Sequence, residues 1–486
     1  MDDRLRELGE LPGYEFDRPR AYGRPEPRPG AWRPPSALPS RSAADPPARP
    51  GRPGLLARDT LAAMRARNWL TSLAAPLLAA IAVGVACVVV LGANNGGEAD
   101  APSALAAGFP PARLAAADFG GGPAVQVSAI AAAAATEVAA GSAGRGCALW
   151  VSADGGSTWH RAALPPSAAG HGIAGQLAGV AHGPAGWLAV GASSAAADDG
   201  GAQRPVVIRS GNGRNWTSAG GRAAFGGRGR VVTAAVAAGR AGYVIVGKAS
   251  SGRRTVAAAW YAPGLTGWRR AAGARPGALD GPGNRSMNAV TAVGGGFVAV
   301  GSSGARPAAW LSATGRTWTL VTPPLPAGAV SAALDYVAAN GAVVAAIGTE
   351  VTSAGTRRPF AAVSADAGAV WTPARLPLPG GASSAAASAA ASATALTAAG
   401  GGFTATGAYG AAGGTAVVIW TLPAAAAAGT AWTEAAPQGT GLTGPGMRAI
   451  TALTATGATL TGVGFAATAA DADRTEPTIW QSPVRS

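Results

Sequence analysis

The residues best suited to chemistry in this 486-residue chain are arginines that return at a steady interval. Arg145, Arg204, Arg253, Arg254, Arg306, Arg357, Arg358 and Arg474 recur at steps of about fifty to sixty residues, with one double step before the last. A guanidinium is planar, permanently charged and offers paired donors, so a row of them suits phosphate or carboxylate recognition. Other reactive types do not assemble. His160, His171 and His182 lack the paired short spacing of zinc ligands, and no second cysteine lies near them. No metal and no other cofactor is therefore expected. Asp335 and Tyr336 come closest to a catalytic pair, a carboxyl beside a phenol, although both also fit an ordinary alternating strand.

Composition limits what can position these residues. Charged residues make up 13% of the chain and hydrophobic ones 48%, while Gly (73) and Pro (37) are abundant. That balance favours short strands and turns over long helices. Lys248 is the only lysine among 38 basic residues, and the net charge is +14.

Three regions follow one another. Residues 1–67 hold runs such as "RPEPRPGAWRPP" and "ADPPARPGRPG" and carry too little apolar surface to offset their ordering entropy, so a disordered Pro/Arg-rich arm is expected there. Residues 68–93 are free of charge. Within them "WLTSLAAPLLAAIAVGVACVVVLG" is long enough, at ~1.5 Å per residue, to cross a hydrocarbon core of ~30 Å as one helix. Arg58, Arg65 and Arg67 precede this transmembrane helix, and Glu98 and Asp100 follow it. Such a bias predicts a cytoplasmic N-terminus and an extracytoplasmic remainder in a single-pass cell-membrane protein. A start at Met64 would instead resemble a lipoprotein signal ending at Cys87, but "VVVLG" continues the apolar run past that point. Cys87 and Cys147 fall in different compartments on this reading, and no disulfide is expected. Residues 94–110 read as a flexible stalk and 111–486 as the folded domain.

That domain is repetitive. A large or apolar residue followed four later by Gly appears as Trp187–Gly191, Tyr243–Gly247, Phe297–Gly301, Val344–Gly348, Phe403–Gly407 and Leu460–Gly464, with Glu137–Gly141 a degenerate first copy. Each lies in a strand-like run preceded by a small-residue strand such as "VTAAVAAG" or "TALTAAGG". A third strand follows, with Trp150, Trp260, Trp310, Trp420 or Trp480, and then a fourth, with Trp159, Trp216, Trp268, Trp318, Trp371 or Trp432. Seven copies of four strands predict an all-β, seven-bladed β-propeller, with six or eight blades left open by the weak first and last copies. The last copy stops after its third strand, so its outer strand is expected from residues 111–127.

The turns between third and fourth strands carry Ser152, Asp154, Gly156 and Trp159 in "SADGGSTW", and Ser364, Asp366, Gly368 and Trp371 in "SADAGAVW". "SGNGRNW" and "SATGRTW" are shorter versions. This Ser-x-Asp-x-Gly-x-x-Trp pattern resembles the Asp-box, or BNR repeat, of sialidase-like and photosystem-assembly-type propellers. The resemblance implies a fold-building role for these residues: the Asp accepts turn N–H groups, the Gly permits positive φ and the Trp fills the space between sheets. It does not imply catalysis, because the Phe-Arg-Ile-Pro-like signature of sialidases is absent and "RRPF" (357–360) is only a scrambled echo. No enzyme activity is expected, with a sialidase-like glycoside hydrolase the least favoured alternative.

In an up-and-down blade, the loop between strands two and three opens on the same face as the link to the next blade. The arginines named at the outset fall in those loops, and the links add Arg222, Arg228, Arg230, Arg275, Arg285 and Arg448. Asp198, Asp199, Asp280, Asp471, Asp473 and Glu476 dilute the field without reversing it. One rim is thus expected to be basic and to bind an anionic envelope polymer, lipid headgroups or an acidic envelope protein. The alternative is a scaffold joining an envelope protein to a cytoplasmic partner of the arm. Nucleic acid is not expected, since the domain lies outside the membrane and its aromatics serve the core.

Overall fold

The computed structural model describes residues 111–112, 125–165, 175–194, 203–220, 222–225, 230–379, 391–411, 414–423, 431–435, 441–457, 459–467 and 475–483. The expected arm (1–67), transmembrane helix (68–93) and stalk (94–110) lie outside these residues, as does Arg474. Among the described residues no helix is long and apolar enough to cross a membrane.

Seven sheets, antiparallel within each blade, form the domain. Blade 1 consists of β2 (Val125–Ala133), β3 (Thr136–Ala143), β4 (Gly146–Ser152) and β5 (His160–Arg161). Blade 2 consists of β6 (Gly175–Gly183), β7 (Gly186–Ser194), β8 (Gln203–Ser210) and β9 (Thr217–Ser218), followed by the single-turn helix α1 (Arg222–Phe225). Blade 3 comprises β10 (Val231–Gly239), β11 (Gly242–Ser251), β12 (Arg254–Ala262) and β13 (Arg269–Arg270). Its tail, β14 (Ala272–Gly273), crosses to blade 4, made of β15 (Arg285–Val293), β16 (Gly296–Ser303), β17 (Arg306–Ser312) and β18 (Thr317–Val321). Blade 5 has β19 (Ala329–Asn340), β20 (Val343–Thr352), β21 (Arg357–Ser364) and β22 (Thr372–Arg375). Blade 6 has β23 (Ser392–Ala399), β24 (Gly402–Ala411), β25 (Gly414–Leu422) and β26 (Thr433–Ala435). Blade 7 has β27 (Arg448–Thr456), β28 (Thr459–Ala467) and β29 (Thr475–Pro483). Its outer strand is β1 (Pro111–Ala112), with Pro111 opposite Trp480. The seventh sheet is therefore completed from the N-terminal side, as the sequence led one to expect.

The core is divided in the same way as the chain. Seven hydrophobic clusters lie one at each seam between neighbouring blades. Successive residues of a strand point to opposite faces, so each middle strand feeds two seams: Val138 and Ala140 join the blade 1/2 cluster while Ala139 joins the blade 7/1 cluster. Because both faces are covered, β11 and β16 read as near-continuous apolar runs.

The large residue of each repeat fills the seam with the preceding blade. Trp187, Tyr243, Phe297, Val344, Phe403 and Leu460 each belong to the cluster shared with the blade before them. The glycine four residues later has a different cause. All seven inner strands carry a β-bulge at the same level, with Ser128, Ala178, Ala234, Asn288, Asp335, Thr394 and Thr451 as the extra residues. Each glycine pairs with the residue just before the bulge, and a Cβ there would lie only 1.8–2.5 Å from an inner-strand carbonyl oxygen. The repeat's glycine thus makes room for a kink in its neighbour.

The bulges also stitch blades together. Asn288 Nδ2 donates to Leu334 O (3.0 Å), Thr406 Oγ1 to Ile450 O (3.3 Å) and Thr451 Oγ1 to Val127 O (2.6 Å). In each case the acceptor is the carbonyl just before the next blade's bulge. The last of these bonds joins blade 7 to blade 1.

Candidate functional site

The third strand of each blade begins on the face where the second ends, so the hairpins joining them mark one rim. Arg145 lies in the β3–β4 turn, Arg253 in the β11–β12 turn, and Arg254, Arg306, Arg357 and Arg358 open their third strands; Arg204 is the second residue of β8. All seven are exposed. The hairpin of blade 6 contributes no basic residue, so the described arginines form an arc over blades 1 to 5 that is densest in blades 3 to 5.

Two arginines counted on this rim are not available there. Arg285 and Arg448 open the inner strands of blades 4 and 7 and are only 7% and 4% exposed. Arg285 donates to Gly277 O and Ala278 O, and Arg448 to Thr443 O and Pro445 O, in the links leading into their own blades. A buried guanidinium thus supplies donors to the carbonyls of each link. Conversely, Glu350 was missed as a rim acid. It stands directly across from Arg358 in the β20–β21 pairing. Burial lifts its pKa, against the opposing pull of Arg358 and Arg375.

Nearer the axis, the bulge residues form a half-buried ring whose one ionisable member is Asp335. Asn288 Nδ2 donates to its Oδ1 at 3.1 Å. Burial raises the Asp335 carboxyl to about 6, opposed by the bonds from Asn288 and Thr349 and by the charge of Arg357. Tyr336, one position on, packs with the blade 5/6 cluster, and burial raises its phenol. The Asp335 charge adds to that rise, but Asp335 is bonded to Asn288 of blade 4 while Tyr336 packs toward blade 6. The other tyrosines among the described residues also have structural engagements. Tyr243 accepts from Ala185 N (3.0 Å) and donates to Gly186 O (2.9 Å), Tyr261 lies under the Arg316 guanidinium, and Tyr409 packs against the blade 5/6 cluster.

The opposite face holds the Asp-containing turns. Ser152 Oγ donates to Asp154 Oδ1 (2.7 Å) and accepts from Gly156 N (2.8 Å), while Thr158 N and Oγ1 donate to the Asp154 carboxylate at 2.9 and 2.6 Å. Ser364, Asp366, Gly368 and Val370 repeat the arrangement. These donors hold both carboxyls below their usual range, with Thr158 the main cause at Asp154 and the Val370 N–H at Asp366. Gly156 and Gly368 have φ of 87° and 93°, and Trp159 and Trp371 donate from Nε1 to their carbonyls at 2.9 and 2.7 Å. Both indoles are buried in seams. The Ser and Asp side chains and the indole N–H groups of these turns are engaged in closing them. Two cavities of about 300 Å³ each also open on this side, lined by Phe297, Leu311 and Ala367 in one and by Arg240, Gly294 and Gly341 in the other.

No family model matches the sequence, and no curated protein matches it. Among solved structures the chain is similar to YCF48 bound to D1 peptide, at 13% identity and TM-score 0.44, covering 74% of this chain and 94% of that one. It is also similar to the NanB sialidase of Streptococcus pneumoniae in complex with a chlorobenzylammonio-ethanesulfonate (9%, TM-score 0.43, 78% and 70%) and to Trypanosoma rangeli sialidase in complex with sialic acid (13%, TM-score 0.36, 74% and 54%). At such identities and scores, no site or ligand passes from those proteins to this chain.

Proposed function

We propose that the propeller is a binding module and not an enzyme, held at the outer surface of a membrane by residues 68–93, and that its arginine rim takes an extended anionic ligand of the cell envelope. One observation carries this reading: seven exposed guanidiniums occupy equivalent hairpin positions in five successive blades. Clustered positive charge steers an anion toward the rim, and guanidinium forks then grip phosphate or carboxylate. Against hydrolysis stand the packing of Tyr336 and Tyr409, the backbone hydrogen bonds of Tyr243, and the bond that ties Asp335 to blade 4 while Tyr336 packs toward blade 6. The turns on the opposite face serve this function only by holding the blades, as Asp-boxes do.

The test is to titrate the full-length protein with an anionic wall polymer, anionic lipid vesicles and a neutral glycan at low and moderate salt. The expected result is saturable binding to one anion that falls steeply with ionic strength and is lost when Arg253, Arg254, Arg357 and Arg358 are replaced by Gln. Binding that ignores both salt and the substitutions overturns the proposal.

A further inference from the structure

The seam between blades 7 and 1 differs from the other six at one position. Where six blades insert an apolar or aromatic side chain toward the preceding blade, blade 1 inserts Glu137, which is fully buried. Its Oε1 accepts a hydrogen bond from Thr461 Oγ1 of blade 7 at 3.1 Å, and its Oε2 has no partner. Gln481, directly across from Thr461 in the β28–β29 pairing, donates from Nε2 to Gly155 O at 2.7 Å in the Asp154 turn. Gly156 closes the cluster, because a Cβ there would lie 2.2 Å from Gln481 Nε2 and 3.0 Å from Glu137 Oε2. A carboxyl thus occupies the one seam whose two sides come from opposite ends of the propeller sequence.

We propose that this seam is a pH-sensitive clasp: it is tightest with Glu137 protonated against Thr461, and ionisation of that carboxyl loosens blade 1 from blade 7. An ionised carboxylate without water needs several donors, and here it has few, whereas the neutral acid fits the site. Burial raises the Glu137 pKa, helped by the like charge of Asp154 and opposed by bonds from Thr461 and Thr456. Among the described residues no nearby cation offsets the burial. β2 and β28 carry no ionisable residue, and Cys147 of β4 packs toward blade 2. Arg448 of β27 and Glu476 of β29 lie at the far ends of their strands, and His160 and Arg161 of β5 are exposed.

The sign follows from linkage. The folded-state pKa is raised, so the contribution of Glu137 to closure is full below the unfolded carboxyl value of ~4.3 and is lost as pH rises through the folded value. Opening of the seam should then increase by up to about tenfold per pH unit across that interval.

Hydrogen exchange on the full-length protein between pH 4 and 8, corrected for intrinsic exchange rates, tests this. Protection in Val125–Ala133 and Arg448–Thr456 is expected to fall with rising pH, while Val231–Gly239, which carries no ionisable residue, holds steady. E137Q should flatten the profile of the closing seam, and E137L, which copies Leu460 of blade 7, should flatten it too. A pH profile shared by all seams overturns the clasp, as does a slope that survives in either variant. The wild-type comparison between seams decides the matter even if a variant fails to fold. Because anion binding at the rim is not measured, failure here leaves the proposed function untouched.

Discussion

The blade 2/3 seam and the blade 7/1 seam are built on one plan and filled in opposite ways. At the first, Tyr243 brings a buried ring and a phenol that both accepts from Ala185 N and donates to Gly186 O. At the second, Glu137 brings a carboxyl that accepts from Thr461 and keeps one buried oxygen, Oε2, without a partner. The apolar parts of the two clusters are otherwise alike: Trp150, Trp159, Val463 and Ile479 line the closing seam much as Trp260, Ile245 and Val190 line the other. The contrast teaches that hydrophobic burial holds every seam, while one side chain per blade decides whether that hold depends on solution conditions.

The largest effect should come from removing the aromatic filler. Tyr243→Ala is expected to cost about 3–5 kcal/mol, the range for deleting a buried ring, measured as a shift in denaturant midpoint. Next come the glycines. Gly301→Ala and Gly141→Ala meet the same obstacle, a carbonyl oxygen at 1.9 and 1.8 Å, and overpacking of this kind costs about 1–3 kcal/mol. Gly141 sits in blade 1, so a smaller cost there than at Gly301 would report a softer closing seam. Tyr243→Phe keeps the ring but leaves Ala185 N and Gly186 O unpaired, and should cost about 1–3 kcal/mol in the same assay.

A second titration must be separated from that of Glu137. The Asp335 pKa is raised to about 6, so its stabilising contribution is complete below the unfolded value of ~3.9 and disappears as pH rises through about 6. In Asp335→Asn that part of the pH dependence of the melting temperature should vanish. A dependence unchanged in this variant would show that Asp335 stays solvated. The smallest effect belongs to the rim: replacing Arg253 and Arg254 by Gln should move stability by no more than about 0.5 kcal/mol each, since both are exposed.

Much of the seam plan was legible in the sequence, because it repeats. Tryptophan and glycine spacing revealed seven blades and the strand to which each belonged, and the missing last strand pointed to residues 111–127. The reason for the glycines was not legible, since a bulge changes register without changing composition. Arg285 and Arg448 looked like surface charge because nothing local announces that a link will turn its carbonyls inward. Glu137 was visible as an irregular copy. Its burial, however, comes from blade 7, more than three hundred residues away, and no window around it contains that partner.

The position of β1 has a mechanical consequence. Among the described residues, a pull that enters through the chain preceding Pro111 acts first on two pairs, Pro111 with Trp480 and Ala112 with Ile479. The ring itself is held at the same seam by β2 against β27, through Val127, Ile130 and Ala452 and the Thr451 bond. Peeling β1 therefore acts as a fuse: a short pairing yields under load while the closed ring behind it keeps its shape.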